Sequence, residues 1–447
     1  MPERRPRVLI LAEQCNPEWP SLPVVGYKYA RALADVVDAV VVTQIRNREN
    51  IERVGLGRAE VVYLDTEALA APLYKLSLAL RGGAATGWTI QMAMDYPSYV
   101  AFEAVAFRRL RRELAAGRFD VVHRVTPMSP TLPSVMPRLS KVPFVLGPLN
   151  GNLPWPPQFR EELAREREWL SWVRGAYKHL PFSRGTYGRA AAILAAFSHT
   201  LADLPEGAGE RAFNFPEVGV DPELFAAPAP RAAAGPMTIL YVGRLVPYKL
   251  PEVVVRAFAE SERLRQHRLV VVGSGPEQGR LEEIVARHGL GGCVELVGQK
   301  TQAEVGALMR KAEILANPSI RELGAGVVVE AMACGMTCVV VDYGAPGTLI
   351  GPGRGVKLEL ADRDTLVTRY ARALEELVAD RERTAALGLA ARAHVLEHYT
   401  WRAKAAKTLE VYDWVLGRRP DKPDFFAPRA PEPARPPSAQ QPRALRA

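Results

Sequence analysis

The sequence predicts an α/β protein made of two doubly wound parallel sheets in tandem. Two observations predict it. Short runs rich in Val, Ile and Leu alternate with stretches at helical spacing, and this alternation occurs twice along the chain. A proline-rich stretch without sustained periodicity separates the two alternations. Strands that alternate with helices argue for a parallel sheet covered on both faces, and a length of 447 residues fits roughly two to three domains of about 150 residues each.

In chain order, the run VLILA from Val8 to Ala12 reads as a buried strand, and EQCNPEWPSLPVVGYKYARALAD as a loop leading into a helix. DAVVVTQ and AEVVYLD follow as strands, then an amphipathic stretch from Tyr99 to Ala116, then FDVVH and VPFVLGPLNGN. The turn GPLNGN lies just after a strand, where open α/β sheets place ligand loops, although an ordinary tight turn would read the same. Residues 1–214 are taken as a first Rossmann-like domain that binds the acceptor, and 215–236, with five prolines, as an interdomain linker. Residues 237–400 form the second, donor-nucleotide domain, with strands MTILYVGRL, RLVVVG, CVELVG and EILANP between helical patterns. A last helix over 401–417 is a candidate to cross back to the first domain, and the Pro/Ala/Arg-rich tail 418–447 is expected to be disordered. Two such sheets make the cleft between them the natural binding site.

With 48% hydrophobic and 24% charged residues the composition is that of a soluble globular protein. No apolar run approaches the roughly 18 residues needed to span a bilayer, and the N-terminus runs into a strand instead of a signal peptide. A cytoplasmic location is expected. The net charge of +9 is uneven: residues 1–216 hold 27 Lys/Arg against 21 Asp/Glu, and 217–416 hold 24 against 25. A basic first domain suits a phosphorylated acceptor or peripheral contact with the anionic inner face of a membrane; a merely solvated arginine-rich surface has the same composition. No aromatic-interleaved basic run suggests nucleic acid. Cys334 and Cys338 lack a second Cys or His pair nearby, so they read as small buried hydrophobes and no metal site is expected.

The stretch PSIRELGAGVVVEAMACGMTCVVV from Pro318 to Val341 places Glu322 in a loop and Glu330 on a helix, with seven residues between them. Free backbone N–H groups at the helix start favour anions, and ionised carboxylates, which only accept hydrogen bonds, suit hydroxyl-rich ligands. Gly243, Arg244 and Lys249 lie between a strand and a helix; an arginine that grips phosphate with two donors and a lysine five positions on fit a pyrophosphate. Gly273, Gly275 and Gly279 imitate a dinucleotide fingerprint with altered spacing, so they mark either close approach to a nucleotide or a tight turn. His123 ends a strand, where it is either ligand-facing or structural.

These pieces together resemble the retaining GT-B glycosyltransferases of family four, the group 1 glycosyltransferases. The segments VGRLVPYK, VVGSGPEQGRLEE, the run from Val294 to Val341 and GVDPELF match in the family's order over nearly all of residues 214–350. The resemblance implies a GT-B fold whose two Rossmann-like domains face each other across a cleft. The implied reaction moves a sugar from a nucleoside-diphosphate sugar, of UDP or GDP type, to an acceptor hydroxyl with retention and no required metal or other cofactor. The acceptor would be a carbohydrate or a lipid-linked sugar. Arg244 and Lys249 would hold the diphosphate, Glu330 the ribose, Glu322 the donor sugar with the backbone at Gly324 and Ala325, and Val297 and Gly298 the base. Two features depart from many relatives: Gly26 stands alone where a Gly-Gly turn follows the first strand, and position 125 is valine instead of a second histidine. A GT-B nucleotide-sugar epimerase and a non-catalytic sugar-nucleotide-binding relative remain as alternatives.

Overall fold

The computed structural model describes residues 4–81, 88–160, 162, 178–228 and 234–426. It contains two parallel sheets. The first has seven strands in the order β3-β2-β1-β4-β5-β6-β7: β1 Arg7–Ala12, β2 Asp38–Gln44, β3 Glu60–Leu64, β4 Val121–Thr126, β5 Phe144–Leu149, β6 Ala190–Ala195 and β7 Ala212–Asn214. The second has six in the order β10-β9-β8-β11-β12-β13: β8 Thr238–Val242, β9 Arg268–Val272, β10 Val294–Gly298, β11 Ile314–Asn317, β12 Thr337–Val341 and β13 Val356–Leu358.

Each order reverses once, between β1 and β4 in the first sheet and between β8 and β11 in the second. At such a reversal the loops leave in opposite directions and open a crevice at the carboxyl ends of the strands. The loops there are 13–21 and 127–135 in the first sheet, and 243–250 and 318–325 in the second. The central strands are buried on both faces: β1 from Val8 to Ala12, and all of β4, β5 and β12. This is why β1 and β12 are almost continuously apolar; β4 instead buries His123, Arg124 and Thr126.

Two segments differ from the sequence reading. Residues 215–236, expected as a linker, include Phe215, Val218, Val220 and Phe225, all buried in the core; residues 229–233 lie outside the described residues. The five prolines suggested an open connection, but the apolar residues between them pack against both domains. Residues 418–447 were expected to be disordered, yet 418–426 are docked. Phe425 packs on Phe213 and Phe215, Phe426 lies beside Tyr399, and Lys422 donates to Ala212 O at 2.7 Å. The two phenylalanines and the bonds of Lys422 and Arg419 hold this part of the tail; residues 427–447 lie outside the described residues.

The helix Trp401–Val415 packs against the helix Leu22–Val36 of the first domain: Tyr29 Oη and Thr408 Oγ1 are 2.6 Å apart, and Trp401, Ala405, Val411 and Tyr412 share a core with Tyr27, Tyr29 and Leu33. The chain therefore crosses between the domains twice. The two crossings touch where Val220 N donates to Tyr399 O at 2.9 Å.

Candidate active site

At the reversal of the second sheet, the loop after β8 carries Gly243, Arg244 and Lys249, and the loop after β11 carries Glu322, Gly324 and Ala325. The two loops meet: Lys249 Nζ stands 2.5 Å from Glu322 Oε1, and both side chains are mostly covered. The lysine lies across Gly243, whose missing side chain would otherwise stand 3.4 Å from Lys249 Cδ. Burial disfavours the ammonium, but Glu322 and Tyr248 outweigh it and hold the Lys249 pKa above its ordinary value. Arg244 is exposed, and its guanidinium donates to Tyr248 Oη at 2.5 Å. The loop after β8 thus carries a covered ammonium and an exposed guanidinium beside Tyr248, two cations whose donors suit an anionic oxygen-rich group.

The helix Gly326–Ala333 begins beside this pair, with Ala325 as its left-handed cap at φ 51°. Glu330 lies on that helix among Lys28 of the first domain and Asp221 of the connector, which form an ion pair at 2.6 Å. Burial lifts its carboxyl to about 7 despite the attraction of Lys28.

Gly324 is pressed against the connector: a Cβ there would lie 2.1 Å from Glu217 Oε1. Glu217 is 8% exposed, accepts a hydrogen bond from Asn150 Nδ2, and has its second oxygen buried without a partner. Burial raises its pKa to about 7, with Asn150 and Lys404 pulling the other way. Sequence reasoning missed Glu217. The one signal was an acid within the apolar FPEVGV, read there as linker.

The first domain supplies the facing wall. Trp155 lies beneath the Arg321 guanidinium at 4.7 Å and meets the Tyr248 ring edge-on at 6.3 Å. Tyr343 Oη donates to Pro154 O at 2.7 Å. The segment 150–155, which continues the GPLNGN turn, therefore covers the loops that carry Lys249 and Glu322.

The other expected residues are placed less directly. Gly26, near the start of Leu22–Val36, allows that helix to approach Gln14 O, which a Cβ would meet at 2.3 Å. A Cβ at Gly275 would meet Leu245 O at 2.3 Å, so that glycine is required by the chain's own backbone whether or not a nucleotide is bound. Val297 and Gly298 close β10 at the edge of the sheet, and Gly298 O accepts from Gly273 N at 2.9 Å.

His123 departs from the ligand-facing alternative. It is fully buried, with Nε2 2.6 Å from Gly147 O and Nδ1 2.6 Å from Tyr412 Oη. Both nitrogens are engaged, and burial lowers its pKa to about 4. His123 was expected to close its strand, but it lies within β4, which continues to Thr126, and its bond to Tyr412 ties the helix Trp401–Val415 to the first sheet.

Residues 226–394 match the family described as glycosyl transferases group 1. That stretch is similar to a group 1 glycosyltransferase domain. It holds Arg244, Lys249, Glu322 and Glu330. The D-inositol 3-phosphate glycosyltransferase of Stackebrandtia nassauensis is 31% identical over 224 residues, which cover 46% of this chain and 49% of that protein. The GDP-mannose-dependent alpha-(1-6)-phosphatidylinositol monomannoside mannosyltransferase of Mycolicibacterium smegmatis is 30% identical over 233 residues, 50% of this chain and 58% of that one. The chain thus spans about half the length of the curated relatives it matches. Over nearly the whole chain, the fold is that of solved GT-B proteins. Sucrose-phosphate synthase from Thermosynechococcus elongatus superposes with a TM-score of 0.60 at 18% identity, over 93% of this chain and all of that one. Anabaena HepE in complex with UDP superposes with a TM-score of 0.59 at 17% identity, over 90% and 98%.

Proposed function

We propose that the protein transfers a sugar from a nucleoside-diphosphate sugar to an acceptor hydroxyl with retention of configuration, in the synthesis of a glycolipid, polysaccharide or other glycoconjugate. The observation that carries this reading is the Lys249–Glu322 contact beside Arg244, at the reversal of a sheet within a group 1 domain. The two cations steady the charge that develops on the departing diphosphate; fixed charges in a covered site do this without reorganising. Glu322 faces the transferred sugar with the backbone of Gly324 and Ala325, and Glu330 accepts from the ribose hydroxyls. Val297 and Gly298 line the base. The base is uracil or guanine, the types named for the UDP-bound neighbour and the GDP-mannose-dependent relative.

The first domain, with its basic surplus, takes the carbohydrate or lipid-linked acceptor. No described helix is long and apolar enough to cross a membrane, so contact with a lipid-linked acceptor would be peripheral, at the cytoplasmic face.

A panel of UDP- and GDP-sugars tests the reading. A matching donor should raise the thermal midpoint by mass action, and release of nucleoside diphosphate should depend on an added acceptor. Diphosphate release coupled to inversion at the sugar's second carbon, with no acceptor, would indicate an epimerase. Tight donor binding with no turnover against any acceptor would indicate a binding protein.

A further inference from the structure

The first sheet has a second pole. The cleft lies at the carboxyl ends of its strands, whereas the short helices Met136–Leu139 and Ser183–Arg189 precede β5 and β6 and stand at their opposite, amino ends. A cavity of about 610 Å³ opens between these helices and the segment 178–182. Arg138, Lys178, His179, Arg184 and Arg189 line it, and its described lining includes no acid.

The charges there are poorly compensated within the described residues. Lys178 Nζ is bonded to Asp203 Oδ1 at 3.1 Å. The three guanidiniums form no ion pair with a described residue. Arg189 reaches only Pro137 O, at 3.4 Å, and Arg138 lies 5.7 Å from the Phe182 ring centre. Other arginines of the chain do find carboxylates, as in Arg46 with Glu13 and Glu67, Arg53 with Glu18, and Arg363 with Glu252 and Glu162. Like charges gathered in one concavity repel each other, and an anion of matching shape removes that cost. Arg138 is also held in place. Its stem packs on Gly185, where a Cβ would stand 3.1 Å from Arg138 Cδ.

Guanidinium forks match phosphate oxygens two donors at a time, and the cavity falls within the roughly 300–1,000 Å³ of small-molecule sites. We propose that this pocket binds a phosphate ester through Arg138, Arg184 and Arg189, at a site separate from the donor cleft. The ester is either the headgroup of an anionic phospholipid or a soluble phosphorylated metabolite, and the chemistry of recognition is the same for both. The inference does not depend on the sugar-transfer reading, because it uses neither the second domain nor its residues.

The test uses the full chain and the double variant Arg138→Ala/Arg184→Ala. Both residues are exposed, so an unchanged thermal midpoint and an unchanged response to nucleoside diphosphates would show that the variant is folded. Cosedimentation is measured with phosphatidylcholine vesicles carrying phosphatidylglycerol, and with vesicles made equally anionic by oleate. Calorimetry is run with glycerol 3-phosphate. The natural chain should bind at least one phosphate ester, and the variant about tenfold more weakly, as loss of charged hydrogen bonds implies. Binding to the phosphatidylglycerol vesicles alone identifies a lipid headgroup, and binding of glycerol 3-phosphate identifies a soluble ligand. Equal binding by both chains, equal binding to oleate vesicles, or no binding to any probe would overturn the proposal.

Discussion

Lys249 and Glu322 are 73 positions apart in sequence and 2.5 Å apart in space. The contact joins the loops after β8 and β11, the two strands at which the second sheet reverses. The two side chains form an ion pair. On the proposed function, an arriving diphosphate gives the ammonium a second partner and frees the carboxylate to turn toward the sugar. Lys249→Ala should therefore lower kcat/KM by roughly 10²–10³, the usual effect of removing a preorganised electrostatic donor. Because the two groups are in contact, Lys249→Ala and Glu322→Ala should be non-additive in a double-mutant cycle. Steady-state kinetics on the four proteins check this, and strictly additive losses would count against a shared site.

Gly324 is the second point of leverage. A side chain there would enter the space of Glu217 Oε1, so Gly324→Ala must displace either the donor loop or the connector. Donor turnover should fall at least tenfold, with a smaller change in thermal midpoint, because the clash is local. Shortening the acid removes the clash, and Glu217→Ala introduced into Gly324→Ala should recover part of the loss. Kinetics and melting of the single and double variants test this; no recovery would separate Gly324 from Glu217.

The strands of both sheets were readable wherever the apolar runs were long and flanked by turns, as in DAVVVTQ, which is β2 residue for residue. Lys249 and Glu322 were readable as candidates because each stands in a loop between a strand and a helix. Their contact was not, since local pattern carries no information about which loops share a sheet reversal. Glu217 and Asn150 were missed for a related reason. Their significance comes from burial against Gly324 and from each other, over separations that periodicity does not reach. His123 shows the converse: it was read as closing a strand, but β4 continues to Thr126, and only the packing of Trp401–Val415 reveals that its nitrogens are occupied.

His123 therefore has a clear expectation. With a pKa near 4 and both nitrogens bonded, it remains neutral from about pH 5 upward and contributes no limb to a pH–rate profile. His123→Ala should destabilise the fold by roughly 2–4 kcal/mol, through the lost hydrogen bonds and the cavity. Activity per folded molecule should be nearly unchanged. Denaturant unfolding gives the first quantity and kinetics below the melting range the second; a loss of kcat beyond tenfold in folded protein would return His123 to the chemistry.

Glu217 offers a test in which the sign is fixed in advance. Its carboxyl has an ordinary value near 4.5 and is raised to about 7 in the fold. The protonated form is thus favoured by folding, and ionising it costs stability. That cost is absent below about pH 4.5, grows as pH rises toward 7 and is constant above it. A shift of this size corresponds to about 3 kcal/mol. Glu217→Gln keeps an oxygen to accept from Asn150 and cannot ionise. Lys404 faces Glu217, but burial lowers it to about 7, so at pH 8 it is mostly neutral and offers the ionised Glu217 little counter-charge. The variant should match the natural chain near pH 4.5 and become more stable by 1 to about 3 kcal/mol near pH 8, as read from urea unfolding at the two pH values. Equal stability at pH 8 would mean that Glu217 ionises without cost and that its buried oxygen finds a partner in solution.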